Sequence, residues 1–91
     1  MIKSFGHRGL AELFETGESR RVRKELWTRS LRRLDALDKA EALTDLQIPG
    51  FNFHGLKGTP KRYSIHVNGP WSITFEWEAG SALRVNLEQY H

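Results

Sequence analysis

Two hydrophobic periods divide the chain. Up to residue 46 apolar residues recur at helical spacing; from residue 62 they alternate with polar ones. Leu10, Leu13 and Phe14 share one helical face, and Gly17 marks a helix end. A longer helix is predicted from Ser19, a residue type suited to an N-cap. At about 100° per residue, Val22, Leu26, Trp27, Leu31, Leu34 and Leu37 fill one half of it, and Arg21, Glu25, Arg29 and Arg32 the other. Glu25 lies four residues from both Arg21 and Arg29, which predicts two stabilising ion pairs on the solvent side. Arg23 falls among the apolar positions and fits only as an early-turn residue whose head reaches water. Leu43 and Leu46 predict a further turn before Pro49-Gly50, and Ile2 to Phe5 a short strand at the start.

In the second half, Tyr63, Ile65 and Val67 alternate with Arg62, Ser64 and His66. Trp71, Ile73, Phe75 and Trp77 alternate with Ser72, Thr74, Glu76 and Glu78, and Leu83, Val85 and Leu87 with Arg84, Asn86 and Glu88. Asn68-Gly69 is a strong hairpin signal, although Pro70 makes the loop unusual, and Gly80-Ser81 marks the next turn. Three antiparallel strands with one apolar face are predicted. Helices before strands give an α+β fold, the N-terminal helices packed on a C-terminal antiparallel sheet whose opposite face is polar and open.

Ninety-one residues fit one small domain, 1–91, with a modest core and marginal stability. The chain has no cysteine, so disulfides and thiolate metal sites are excluded and a reducing compartment fits. No apolar run approaches the roughly 18 residues of a membrane span, and MIKSFGHRGLAELFE lacks the apolar stretch of a secretory signal. A soluble cytoplasmic protein without membrane contact is the expectation. The net charge of +3 is unevenly placed. Arg20, Arg21, Arg23, Lys24, Arg29, Arg32 and Arg33 face a single acid, Glu25, between residues 20 and 33. Such a patch attracts polyanions, nucleic acid among them; its plainer reading is a solvated helix face.

The chemistry available is narrow. The four histidines, His7, His54, His66 and His91, form no short-spaced pair, so neither a metal site nor another cofactor is expected. Two clusters stand out, Asn52-Phe53-His54-Gly55-Leu56-Lys57-Gly58 and Tyr90-His91. Cleavage of RNA by its own 2′-hydroxyl needs a base, an acid for the leaving 5′-oxygen and a cation for the phosphorane. Two imidazoles, a phenol and an ammonium group suit that task. The α-carboxylate beside His91 favours its imidazolium, so His91 reads as acid and His54 as base. The plainer readings are a loop hydrogen bond for His54, a solvated charge for Lys57, a core cap for Tyr90, a surface position for His66 and a helix start for His7.

MIKSFGHRGLAELFETG, FHGLKG, WSITFEW and the terminal EQYH together resemble the HigB-type toxins of the RelE/ParE toxin–antitoxin superfamily. The resemblance implies a compact α+β, microbial-ribonuclease-like fold and ribosome-dependent cleavage of messenger RNA. It implies neutralisation by a helix-turn-helix antitoxin, HigA, and binding of operator DNA only through the antitoxin complex. It assigns His54, Lys57, Tyr90 and His91 to catalysis. Two positions depart from the family pattern: Gln89 stands where many relatives carry aspartate, and Ser72 where many carry arginine. Arg62 and Arg84, on the same polar parity as Ser72, are the compensating RNA-binding cations, with Arg21, Arg29 and Arg32 on the basic helix. Three other functions stay open: a translation inhibitor that does not cleave, a binder of DNA gyrase, and a nucleic-acid-binding repressor subunit.

Overall fold

The computed structural model of the chain describes residues 1–89. Helix α1 (Arg8–Thr16) opens at His7, whose Nδ1 accepts a hydrogen bond from the Leu10 amide at 3.2 Å. It closes at Gly17, where φ is +86° and the amide bonds back to the Leu13 carbonyl. Leu10 and Leu13 are fully buried. Gly9 is required by close approach: a Cβ there would lie 2.7 Å from the Arg21 Cβ and 3.0 Å from the Val22 Cγ2.

The long helix does not begin at Ser19. Residues 18–23 form a turn, a 3₁₀ turn follows at Lys24–Leu26, and helix α2 spans Trp27–Lys39. Two side chains explain the delay. Ser19 is buried and donates to Glu12 Oε1 at 2.8 Å, so its hydroxyl tethers the turn to α1 instead of capping α2. The Trp27 indole donates to the Val22 carbonyl at 2.9 Å, taking an acceptor that a continuous helix would give to the Leu26 amide. Leu26 bonds to Arg23 instead. Arg23 therefore lies outside the helix, exposed and 3.0 Å from Glu25, which removes the anomaly of its position. The expected Glu25 pairs with Arg21 and Arg29 do not form. Arg21 meets Glu12 at 3.5 Å, and Arg29 donates to Asn68 Oδ1 at 3.1 Å.

The sheet has strand order β1-β2-β3-β4, antiparallel throughout: β1 His54–Leu56, β2 Arg62–Asn68, β3 Trp71–Glu78 and β4 Ser81–Gln89. Ile65, Val67, Ile73, Phe75, Val85 and Leu87 face the helices and bury with Leu26, Leu34 and Leu37. Trp71 and Trp77 pack against this core while partly exposed. The β2–β3 turn is Gly69-Pro70, one residue later than the Asn-Gly signal, with Gly69 at φ +55° in the position where a primed turn needs it. The N-terminal segment runs parallel along β4, bridging Ile2 to Ala82 and Phe5 to Val85. The Asp38 carboxylate of α2 accepts the Ile2 amide at 2.9 Å.

The alternation read for β4 slips at one point. A bulge opposite Phe75 puts Arg84 at φ +48°; Ala82 then joins Val85 and Leu87 in the core, and Leu83 crosses to the open face opposite Glu76.

Two stability effects follow. Ser30 is fully buried in α2, and its hydroxyl has no hydrogen-bond partner among the described residues. Ser30→Ala removes that orphan and improves helix propensity, so urea denaturation should show a gain of about 0.5–1.5 kcal/mol. Burial holds the His7 pKa below its ordinary value, although the ring's backbone hydrogen bond works in the opposite direction. The unfolded chain thus takes up this proton at higher pH than the folded one. The contribution is complete above about pH 6.5 and is lost as pH falls toward the lower folded pKa. A protonated Nδ1 cannot accept from Leu10, and an N-cap is worth about 1 kcal/mol. The melting temperature should fall between pH 7 and pH 5, and His7→Asn should remove that part of the fall.

Candidate active site on the open face of the sheet

Residues directly opposite on antiparallel strands share a face. His54 pairs with Ser64, Ser64 with Thr74 and Thr74 with Asn86, so these four form a row across the open face. His66, Ser72 and Glu88 form the next row. With strands about 4.8 Å apart, a row of four spans roughly 14 Å. Its central members Ser64 and Thr74 are buried, as is Ser72 in the next row, so the face read as open is accessible chiefly at the His54 and Asn86 ends of the row.

His54 opens β1 with its side chain exposed. Its Nδ1 lies 2.9 Å from the Asn52 carbonyl. A carbonyl can only accept, so in the neutral ring Nδ1 carries the proton and Nε2 holds the lone pair. Asn52, at φ +47°, sits in the left-handed region open to asparagine and presents that carbonyl from the preceding loop. The tautomer is thus favoured by a carbonyl two residues away. Lys57 follows β1 and lines a groove of about 380 Å³ with Leu56, Gly58, Thr59, Pro60 and Arg62. A larger concavity of about 600 Å³ lies on the helical layer between Glu12 and Trp27 and shares no residue with this face.

The two strand arginines are not loose cations. Arg62 donates to Glu76 Oε2 at 2.9 Å, and through Nη2 to Thr74 Oγ1 and the Arg84 carbonyl, both at 3.0 Å. Arg84 donates to the other Glu76 oxygen at 2.8 Å. Thr74, fully buried, passes its own hydroxyl proton toward Glu88 Oε2. A continuous chain therefore runs from Glu88 through Thr74, Arg62 and Glu76 to Arg84. Glu76, Thr74 and Glu88 were missed as site residues. Glu76 and Thr74 share the polar parity of Ser72 on β3, as Glu88 does with Arg84 on β4, and opposite charges on one face were the available signal.

On the helical side, Arg29 reaches Asn68 and the Val67 carbonyl. Arg33 donates to the His66 carbonyl at 2.8 Å and lies 4.7 Å from the Phe51 ring centre. Burial, then the charges of Arg29 and Arg32, lower its pKa from the ordinary value. These two arginines close the edge of β2 beyond the end of β1. Arg21 and Arg32 are exposed. His66 Nε2 is 2.9 Å from the Gly69 carbonyl, a turn-holding role. The roles read for Tyr90 and His91 fall on residues outside those described.

Residues 3–91 match the family model of the HigB-like toxins, described as "RelE-like toxin of type II toxin-antitoxin system HigB". The chain is 41% identical over 92 residues to "Endoribonuclease HigB" of Proteus vulgaris, covering 100% of both chains. It is 32% identical over 93 residues to "Toxin HigB-1" of Vibrio cholerae serotype O1, covering 99% of this chain and 98% of that one. Two helices on an antiparallel sheet, full-length similarity to two HigB proteins and a family match over nearly every residue agree: the chain belongs to the HigB-like family of RelE-like toxins of type II toxin–antitoxin systems.

Proposed function

We propose that this toxin is an endoribonuclease that cleaves messenger RNA on the translating ribosome without a bound metal. The observation that carries the reading is the 2.9 Å contact of His54 Nδ1 with the Asn52 carbonyl, an acceptor that favours Nδ1–H in the neutral ring and leaves the Nε2 lone pair for a 2′-hydroxyl proton. In this mechanism His54 removes that proton as the 2′-oxygen attacks the adjacent phosphorus. The P–O5′ bond breaks, and His91 gives its proton to the leaving 5′-oxygen. Lys57 offsets the charge that builds on the phosphorane, and Tyr90 completes the group. The products are a 2′,3′-cyclic phosphate and a free 5′-hydroxyl.

Membership of a type II toxin–antitoxin family implies an antitoxin partner. We assign that partner to the HigA helix-turn-helix type, with operator DNA reached only through the complex. Arg21 and Arg32, together with Arg29 and Arg84, are assigned to phosphates of message and ribosome. Such contacts position without reading sequence. Arg62, read from the sequence as a further RNA-binding cation, is instead taken up by three acceptors of the sheet.

The bridging of Arg62 and Arg84 by Glu76 favours a second reading, in which the toxin occupies the site and blocks translation without cutting. Mapping message 5′ ends in a cell-free translation reaction separates the two. New ends inside the coding region, absent when the same message is incubated without ribosomes, support cleavage. Halted synthesis with intact message overturns it in favour of occupancy.

A further inference from the structure

Glu76 lies between two guanidinium groups of very different freedom. The Arg62 side chain is 23% exposed, that of Glu76 16% and that of Arg84 65%. Arg62 is held by three acceptors on two strands. Among the described residues, Arg84 makes a single side-chain bond, to Glu76. An ion pair with one exposed member in water contributes little, so the outer bond is readily exchanged while the inner one holds.

The backbone of Arg84 shows why its side chain stands there. Its φ of +48° is uncommon for a non-glycine residue. The strained bulge is fixed from both sides: Ser4 Oγ accepts the Arg84 amide at 2.8 Å, and Arg62 donates to the Arg84 carbonyl at 3.0 Å. Packing of the Arg84 side chain does not require this, since that side chain is largely in solvent. The bulge instead re-aims it across the open face, a recognised use of bulges beside active sites.

The geometry points to Arg84 as the arm that takes a backbone phosphate of the bound RNA, and to Glu76 as the internal anion that competes for it in the free protein. Arg62 is then a positioning residue, holding Glu76 and the bulge. A carboxylate and a phosphodiester both offer a guanidinium two oxygens in a similar fork, so exchange of one for the other needs only rotation of an exposed side chain. In the free state Glu76 and Glu88 offset the charges of Arg62 and Arg84, which weakens the pull of these two guanidinium groups on loose RNA. RNA presented at high local concentration wins the competition. The inference rests on the endoribonuclease reading for the identity of the ligand alone.

The test uses the full chain and a fluorescent single-stranded RNA carrying 2′-O-methyl groups, which binds but has no 2′-hydroxyl to attack. Anisotropy titrations at several salt concentrations are compared for wild type, Glu76→Gln, Arg84→Gln and the double variant, each checked for an intact thermal transition. Glu76→Gln should tighten binding about 5-fold or more. Arg84→Gln should weaken it several-fold and lower the slope of log affinity against log salt by about 0.7, the value for one single-strand phosphate. The double variant should bind like Arg84→Gln, because the gain acts through Arg84. A gain that persists in the double variant, an Arg84→Gln protein with unchanged affinity and slope, or no binding by any variant overturns the inference. Should Glu76→Gln fail to fold, the affinity and slope of Arg84→Gln decide alone. A protein that shows this coupling yet generates no new message ends would refute the nuclease reading and leave the arm standing.

Discussion

His54→Ala should slow message cleavage in a translation reaction by about 10²–10⁴-fold, the range for loss of a positioned general base. The fold should not notice. The His54 ring is exposed, and among the described residues its one hydrogen bond goes to the carbonyl of exposed Asn52, which water can satisfy once the imidazole is gone. A change in stability within about 0.5 kcal/mol is expected. His54→Gln sharpens the comparison. Glutamine can donate to the Asn52 carbonyl but cannot take a proton near neutral pH, so it should be as inactive as alanine if the ring is the base. Near-wild-type cleavage by either variant, with new 5′ ends at the same positions, would remove His54 from the mechanism.

The parts of the fold that were legible in the sequence are those governed by a single strong period. The alternation in β2 and β3 could be read because one face is buried and a one-residue shift would turn every apolar side chain to water. α1 was legible because Leu10 and Leu13 fix its buried face and Gly17 its end. The start of α2 was not, because it depends on tertiary hydrogen bonds: the Ser19 hydroxyl to Glu12, the Trp27 indole to Val22. Neither has a local signature, and Ser19 looks like a cap to any local rule. The bulge in β4 was hidden for the same reason. Arg84 is held in the left-handed region partly by Ser4, eighty positions earlier in the chain, so Leu83 seemed to belong to the core where Ala82 does.

The candidate site divides along the same line. Parity placed Arg62, Arg84 and Ser72 on one face, and all three are there. What parity cannot give is which charges pair. Arg62 and Arg84 were read as cations awaiting phosphate in place of the arginine missing at position 72. Only the three-dimensional placement of Glu76 shows that both already hold an anion. The Asn52 contact to His54 spans two residues and was within reach, but it depends on a positive φ that asparagine permits without demanding.

Arg62→Met should destabilise the protein by about 2–4 kcal/mol, the cost of leaving largely buried polar partners without their donor. Methionine fills a similar volume, so lost packing is a minor part. The Thr74 hydroxyl keeps Glu88 and Glu76 keeps Arg84, but the Arg84 carbonyl loses the donor that fixes the bulge, and the inner oxygen of Glu76 is left unpaired. For a chain of this length the loss corresponds to a fall of roughly 10–30 °C in melting temperature. Arg62→Lys should recover less than half of it, since an ammonium cannot reproduce a planar fork that serves three acceptors on two strands. Arg84→Gln, by contrast, should cost under about 1 kcal/mol, because its ion pair is mostly in water. Urea denaturation of the three variants gives the ordering directly. Arg62→Met within about 0.5 kcal/mol of wild type, or Arg84→Gln as damaging as Arg62→Met, would show that Arg62 is not the hub of the face. Arg62 would then be a second displaceable arm, and the division of labour between the two arginines would fail with it.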